Sequence, residues 1–142
     1  MQKTLVMIKP DGVRRKLIGE IIGRFEARGL NIHGLKLIHL SRKKAEELYS
    51  IHRGKPFFGT LVDFVISGPV VVMVLSGPRA IEVVRTMMGA TDPIKSQPGT
   101  IRGDFALEIT ENIIHAADSE ERAEFEISLF FNEEELVQSQ CC

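Results

Sequence analysis

Apolar residues along the chain recur with two spacings, which predict strands and helices in alternation. Residues 5–8 form a short apolar run that Pro10 and Gly12 end, as expected for a strand. Residues 18–28 carry apolar side chains at positions i, i+3, i+4 and i+7 and charged ones on the opposite face. This spacing predicts an amphipathic helix, and Gly29 suits its carboxyl-terminal stop.

The middle of the chain continues this alternation. Residues 30–40 change roughly between apolar and polar, which is typical of a half-buried strand. A short helix with a serine N-cap is predicted over residues 41–52, and a second helix over residues 58–65. Residues 70–75 are rich in β-branched side chains and predict a central strand, which a helix follows over residues 78–88.

The last third of the chain is less regular. Residues 89–103 hold prolines, glycines and hydroxyl side chains with few large apolar groups, which indicates a long functional loop. A short apolar segment at residues 112–115 precedes a helix expected to start at residues 118–121 and to continue to Phe130. This order of elements predicts an α/β sandwich, in which one sheet carries packed helices.

Composition and charge fit one ordinary globular domain. The chain has 142 residues, of which 44% are hydrophobic and 26% charged, and its formal net charge is −1. This balance provides no global field for a polyanion, so it argues against dedicated DNA or RNA binding. We expect an ordered core over about residues 3–137 and a short tail at residues 138–142.

Cysteines and apolar runs bear on the compartment. Cys141 and Cys142 are neighbours in the tail, so they form no disulfide framework, and we assign them no function. The apolar run at residues 1–8 is too short for a secretory signal, and the run at residues 69–75 is too short to span a bilayer. We therefore expect a cytoplasmic protein without a membrane partner.

The motifs of the common phosphate-binding classes are missing. The sequence has no Gly-x-x-x-x-Gly-Lys-Ser/Thr cradle, no protein-kinase set and no zinc-ligand spacing. Three of the four histidines have ordinary explanations. His33 and His39 are expected to share one face of a strand as packing or surface residues, and His52 to complement a helix end.

His115 is the histidine with candidate catalytic neighbours. It follows a short apolar segment and precedes a helix start, with Asn112, Asp118 and Glu126 near it along the chain. A neutral imidazole is a nucleophile at physiological pH, and a neighbouring carboxylate orients it. Candidate phosphate ligands, each a weak signal alone, are Lys9, Arg85, Thr91, Thr100 and Arg102.

Several ordered motifs resemble those of nucleoside diphosphate kinases. The similarity runs in register from Thr4 to about Val137. Residues 112–119, with the sequence NIIHAADS, resemble the active-site signature of that family. The other matching segments are residues 8–12, 56–58, 67–70, 89–93 and 98–105.

The resemblance implies a ferredoxin-like fold, with an antiparallel four-stranded sheet covered by helices. It also implies an enzyme that transfers the γ-phosphate of a nucleoside triphosphate to a nucleoside diphosphate by a ping-pong mechanism. His115 matches the nucleophile, Glu126 the acid that orients it, and Phe57 the aromatic residue that stacks on the base. The positions that match nucleotide-binding residues are Lys9 (also catalytic), Tyr49, Phe57, Leu61, Arg85, Thr91, Arg102 and Asn112.

Cofactor and assembly are implied in the same way. Mg²⁺ is expected to arrive with the nucleotide phosphates, with Asp118 contacting it through water, and not in a protein cage. Family members form hexamers or tetramers. The loop at residues 89–103, in which Pro93 matches a contact position, favours a homo-hexamer.

One position departs from the family's pattern. Ala117 stands where the family usually has a serine, whose hydroxyl would help to hold Glu126. Losing one such hydrogen bond costs about 0.5–1.5 kcal/mol, so we expect reduced or mildly altered activity. Three alternatives remain: a nucleotide-binding regulator weakened by Ala117, a histidine phosphocarrier or protein-histidine kinase, and a nucleic-acid-binding sheet.

Overall fold

The computed structural model describes residues 1–138, in which strands and helices alternate. Within these residues, four strands and seven helices follow one another. They are β1 (Gln2–Ile8), α1 (Pro10–Arg14), α2 (Ile18–Arg28), β2 (Asn31–Ile38), α3 (Arg42–Leu48), α4 (Phe58–Val65), β3 (Val70–Gly77), α5 (Ala80–Met88), α6 (Ile101–Phe105), β4 (Ile114–Ala116) and α7 (Glu120–Phe130). Short 3-10 turns lie at Ser50–His52, Pro93–Lys95 and Glu133–Glu135.

The strands form one antiparallel sheet in the order β2-β3-β1-β4. The β3 strand is buried along its whole length and pairs with both β1 and β2, as its prediction as a central strand requires. At one edge, the three-residue β4 pairs with β1, and His115 lies opposite Met7. The antiparallel four-stranded sheet implied by the resemblance is confirmed.

Side chains of the sheet enter two separate cores, one on each face. Val6 and Ile8 of β1 belong to the core that α2 and α5 cover. Leu5 and Met7 belong to the opposite core, which α3, α4 and α7 cover. Because helices cover both faces, residues 5–8 of β1 and residues 70–75 of β3 are continuous apolar runs in the sequence and show no alternation.

Two five-residue helices differ from the sequence-based prediction. Pro10 and Gly12 end β1 as expected, but they also lie inside α1, because proline suits a first helical turn that needs no N–H from it. The loop predicted over residues 89–103 contains the start of α6. Thr100 is its N-cap and accepts a hydrogen bond from the Gly103 amide at 3.0 Å.

The two strand histidines do not share a face. A β-bulge next to His33 interrupts the alternation of β2. His33 is buried, its Nδ1–H donates to the Val137 carbonyl at 2.8 Å, and its Nε2 accepts from the Ser76 hydroxyl at 2.6 Å. His39 is exposed and lies beyond the end of the strand. The prediction of a shared face was therefore wrong, since alternation counted from sequence assumes an unbroken ladder.

Two further predictions concern membrane-spanning segments and the cysteines of the tail. None of the helices within residues 1–138 is both long enough and apolar enough to cross a membrane. Cys141 and Cys142, to which we assigned no function, lie outside the described residues.

Gly103 and Gly23 form a matched pair of glycine-to-alanine substitutions. A Cβ atom at Gly103 would lie 2.0 Å from the carbonyl oxygen of Gln97, so the backbone would have to shift to admit it. We expect Gly103→Ala to destabilise the fold by roughly 1–3 kcal/mol. The same atom at Gly23, on the exposed side of α2, meets nothing within 4 Å, so Gly23→Ala should stabilise the protein by about 0.5–1 kcal/mol. Urea unfolding followed by circular dichroism measures both, and equal midpoints would contradict this steric account.

Candidate active site

A cavity of about 460 Å³ opens beside β4, a volume within the usual range for small-ligand sites. Its walls come from residues between Lys9 and Glu126, including residues of α3, α4, α5, α6 and α7. All the residues that the family resemblance assigns to the site line this cavity. They are Lys9, Tyr49, Phe57, Leu61, Arg85, Thr91, Arg102, Asn112, His115, Asp118 and Glu126.

The strand that carries His115 has three residues, and its apolar side chains lie in the core on one face of the sheet. Ile114 and Ala116 place their side chains in the core beneath α2 and α5. Because side chains alternate along a strand, His115 points to the opposite face, where it lies at the cavity wall with 20% of its side chain exposed. The strand thus anchors the histidine through its apolar neighbours.

The backbone just before this strand is strained and held. Ile113 has φ +76°, a left-handed conformation that is unfavourable for a β-branched residue. The Lys9 amide donates to the Ile113 carbonyl at 2.7 Å, and the Ile113 amide donates to Oδ2 of Asp11 at 3.1 Å. Both peptide groups of the turn are therefore fixed by the segment that follows β1, and sequence reasoning missed this role of Asp11.

A buried carboxylate sets the orientation of the histidine. Oε1 of Glu126 lies 2.8 Å from Nε2 of His115, and Glu126 is 1% exposed. An ionised carboxylate only accepts hydrogen bonds, so Nε2 carries the proton and donates, which leaves Nδ1 of the neutral ring with its lone pair. Tyr49 meets the imidazole edge-on, with ring centroids 6.0 Å apart. Burial raises the pKa of Tyr49, so the phenol stays protonated.

Two buried cations lie in the cavity wall. Lys9 donates to Oδ1 of Asn112 at 2.9 Å, and burial, with a smaller effect of nearby Arg102, lowers its pKa to about 8. Arg102 donates to the carbonyls of Asn112, Gly89 and Ile114 at 3.3, 3.3 and 2.6 Å. Burial also lowers the pKa of Arg102, to about 10. Within residues 1–138, neither cation forms an ion pair with a carboxylate, so the wall carries positive charge that an anionic ligand would balance.

Arg85 and Thr91 complete the polar part of the cavity. Arg85 is exposed on α5, and its Nη1 donates to the Ala116 carbonyl at 3.2 Å. The Thr91 carbonyl accepts from Nδ2 of Asn112 at 3.1 Å, which ties the loop before α6 to the turn before β4. Thr100, the other hydroxyl candidate, does not line this cavity. Its hydroxyl accepts from the Gly103 amide and donates to the Gln97 carbonyl at the start of α6.

The mouth of the cavity is aromatic. Phe57 is 45% exposed, and Leu61 lies beside it in the lining. The imidazole of His52 lies 5.2 Å from the Phe57 ring, and burial together with Lys55 lowers the pKa of His52, which favours the neutral ring. A flat, half-exposed aromatic face next to buried cations suits a ligand that joins a planar ring to phosphates.

Several lining residues were missed from sequence. His52 was expected to serve a helix end, and Arg122, one helical turn before Glu126, looks like an ordinary solvated charge. No motif identifies either one, since their roles depend on which neighbours the fold brings to them. The remaining unassigned members of the lining are Leu48, Ile51, Met88, Ile109, Thr110 and Ala116.

Comparisons with known proteins agree with a nucleotide-binding cavity. The family model described as nucleoside diphosphate kinase matches residues 2–136. A nucleoside diphosphate kinase of Sulfurisphaera tokodaii is 61% identical over 137 residues, which cover 96% of this chain and 93% of the relative. Another from Sulfolobus acidocaldarius is 59% identical over 133 residues, covering 94% and 92%.

Solved structures show the same similarity at the level of the fold. The structure of a halophilic nucleoside diphosphate kinase from Halobacterium salinarum in complex with CDP superposes with a TM-score of 0.96. It shares 46% identity, and the match covers 99% of this chain and 93% of that one. On these matches and the cavity they accompany, the chain belongs to the nucleoside diphosphate kinase family.

Proposed function

We propose that His115 is the residue through which this enzyme moves the terminal phosphoryl group from a nucleoside triphosphate to a nucleoside diphosphate. The observation that carries this assignment is the His115–Glu126 hydrogen bond, which leaves Nδ1 as the unprotonated ring nitrogen in a cavity lined by cations. The regulator that Ala117 suggested is not favoured, because His115 lies at the cavity together with four of the candidate phosphate ligands, Lys9, Arg85, Thr91 and Arg102.

The proposed transfer takes place in two matched halves. The lone pair of Nδ1 forms a bond to the γ-phosphorus while the bond from that phosphorus to the β,γ-bridging oxygen breaks and the diphosphate leaves. The ring, now positive, keeps its Nε2–H, and the Glu126 carboxylate stabilises that charge. A terminal oxygen of a second diphosphate then attacks the phosphorus, the P–N bond breaks, and neutral His115 returns.

The cations and polar groups of the cavity would stabilise the negative charge on the transferred phosphoryl group. Lys9, Arg85 and Arg102 lie around the same cavity, where positive charge stabilises the phosphoryl oxygens as bonds form and break. Asn112 holds the Lys9 ammonium, and we assign Tyr49 and Thr91 to the same nucleotide-binding wall. Phe57 and Leu61 would contact the base, and stacking on one aromatic face discriminates little among bases.

Enzymes of this family require a divalent metal ion, and we propose Mg²⁺. The residues present fit a metal that arrives with the nucleotide. Residues 1–138 contain no group of three or more His, Cys, Asp or Glu side chains arranged to hold a metal, whereas Asp118 offers one carboxylate at the cavity. Oxygen ligands and few protein contacts suit Mg²⁺, which would offset phosphate charge, with Asp118 contacting it through water.

We also propose a homo-oligomer, a hexamer in preference to a tetramer. Leu35 and Leu37 are 49% and 64% exposed on β2, which lies at an edge of the sheet, and Ile94 is 73% exposed in the loop before α6. Second copies of the chain would cover these apolar groups. The cytoplasmic location rests on the sequence alone.

The phosphohistidine is tested by intact-mass analysis. Brief incubation with Mg-ATP should add one acid-labile phosphoryl group, and GDP should then remove it as GTP forms. His115→Ala should gain no phosphoryl group, because it lacks the nucleophile, whereas His39→Ala, at an exposed position away from the cavity, should behave as the wild type. Folded wild-type protein that binds nucleotide but gains no mass would sink the assignment.

The buried Lys9 predicts a pH-dependent nucleotide affinity. The pKa of Lys9 is lowered to about 8, so its ammonium is mostly present at pH 7 and mostly lost at pH 9. Since phosphates prefer the charged form, the affinity for ADP should fall by about tenfold between these two pH values. Lys9→Met should bind ADP more weakly at pH 7 and with a flatter pH dependence. Calorimetric titration measures both, and parallel profiles would contradict the role of Lys9.

Sedimentation velocity tests the assembly. We expect the wild type to sediment as a hexamer, because exposed leucines on an edge strand favour association. Leu37→Lys should weaken the assembly by placing a charge at that edge, whereas Lys43→Ala, on the exposed side of α3, should not. A monomeric wild type would contradict the proposed oligomer without affecting the catalytic assignment.

A further inference from the structure

Glu126 needs a partner for each of its carboxylate oxygens, because it is buried. Oε1 accepts the hydrogen bond from His115, and Oε2 faces the guanidinium of Arg122, whose Nη2 lies 3.3 Å away. Within the part of the chain that the structure describes, these are the two side chains within 4.0 Å ion-pair distance of Glu126. The carboxylate is therefore held from both sides.

Ala117, which follows β4, provides no hydrogen bond to Oε2 of Glu126. Ala117 is buried in a small apolar cluster with Ile81 and Ala123, and its methyl group has no hydrogen to donate. Whatever fixes the second oxygen of Glu126 must come from another element. Arg122 lies on the same helix one turn earlier and supplies the opposite charge.

Further contacts restrain the Arg122 side chain. Besides the ion pair with Glu126, Nη2 of Arg122 donates a hydrogen bond to the carbonyl of Leu48 at 2.7 Å, at the carboxyl-terminal end of α3, where a cation is favoured. Its guanidinium lies 4.7 Å from the centre of the Phe125 ring, and only 18% of the side chain is exposed. These contacts order the guanidinium before any ligand binds.

We propose that Arg122 is a positioning residue, which fixes Glu126 and, through it, the tautomer and orientation of His115. It also joins Glu126 to the end of α3, the helix that Tyr49 follows at the cavity wall. This inference rests on the proposed function of His115 as the nucleophile. It also changes the interpretation of Ala117. The support for Glu126 that a hydroxyl at that position would give comes instead from Arg122 on α7.

Direct contact with the nucleotide is the competing role, since Arg122 lines the cavity. The two roles differ in what they change. A group that binds phosphate affects nucleotide affinity, whereas a group that orients the nucleophile affects the rate of phosphoryl transfer and the state of the imidazole. Three measurements separate them: the single-turnover rate constant for His115 phosphorylation by Mg-ATP, the Kd for ADP, and the ¹⁵N signals of the His115 ring.

Arg122→Met removes the charge and keeps much of the side-chain length. We expect the phosphorylation rate constant to fall roughly tenfold, while the Kd for ADP changes less than about twofold. The ¹⁵N signals of neutral His115 should move from the Nε2–H form towards a mixture of tautomers. Arg122→Lys, which keeps the charge, should retain at least about a third of the wild-type rate constant.

Arg24 provides the matched control. It forms an i,i+4 ion pair with Glu20, its Nη1 donates to the carbonyl of Gly99, and its guanidinium lies 5.0 Å from the Phe105 ring. Arg24→Ala should therefore lower thermal stability much as Arg122→Met does. It should leave the His115 ring signals unchanged, since Arg24 does not line the cavity.

Three results would overturn the proposal. One is an Arg122→Met protein with wild-type rate and ring signals. Another is a large rise in the Kd for ADP with unchanged ring signals, which would make Arg122 a nucleotide ligand. The third is equal loss in the Lys and Met variants, which would indicate packing alone. Failure of the proposed function has a different signature: wild-type His115 would take up no phosphoryl group, while its ring signals would still report the effect of Arg122.

Discussion

The hydrogen bond between Glu126 and His115 is the interaction on which the proposed chemistry depends. A carboxylate with 1% exposure is tolerated only where partners inside the protein replace its lost hydration. The partner must present an N–H, so the carboxylate determines which imidazole nitrogen carries the proton. Burying the acid thus selects the tautomer, and the unprotonated nitrogen is the one that the proposed mechanism assigns to the attack on phosphorus.

Buried cations in the cavity wall need partners inside the protein for the same reason as the buried carboxylate. Lys9 and Arg102 are buried cations whose partners are neutral oxygens of Asn112 and of backbone carbonyls. Dipoles offset part of their desolvation, but they leave the net charge of the wall in place. In the proposed reaction, the polyphosphate of the nucleotide would supply the missing negative charge. Three N–H groups of Arg102 donate to backbone carbonyls, which hold this cation in place without a ligand. In the proposed reaction, this cation would therefore need little reorganisation.

Sequence reasoning predicted the elements with strong periodicity and missed those set by local or tertiary detail. The i, i+3, i+4 pattern identified α2, and the β-branched run identified β3, because their cores require those spacings. The five-residue α1 escaped notice, since its Pro10 equally signals the end of a strand. At the site, the family motifs identified most of the polar residues that line the cavity. They did not identify Arg122, because an i,i+4 pair on a helix gives no sign in the sequence that it is buried.

The strained turn at Ile113 shows how the fold keeps these groups in register. A left-handed β-branched residue costs of order 1–3 kcal/mol and persists only when its surroundings impose it. Gly12 leaves the space that the Ile113 side chain occupies, and a Cβ there would lie 3.1 Å from its Cγ2 atom. Relaxing the turn would break its hydrogen bonds to the Asp11 carboxylate and to the Lys9 amide. The hydrogen bonds of this strained turn therefore connect the segment of Lys9 to the strand that carries His115, so that neither can shift alone.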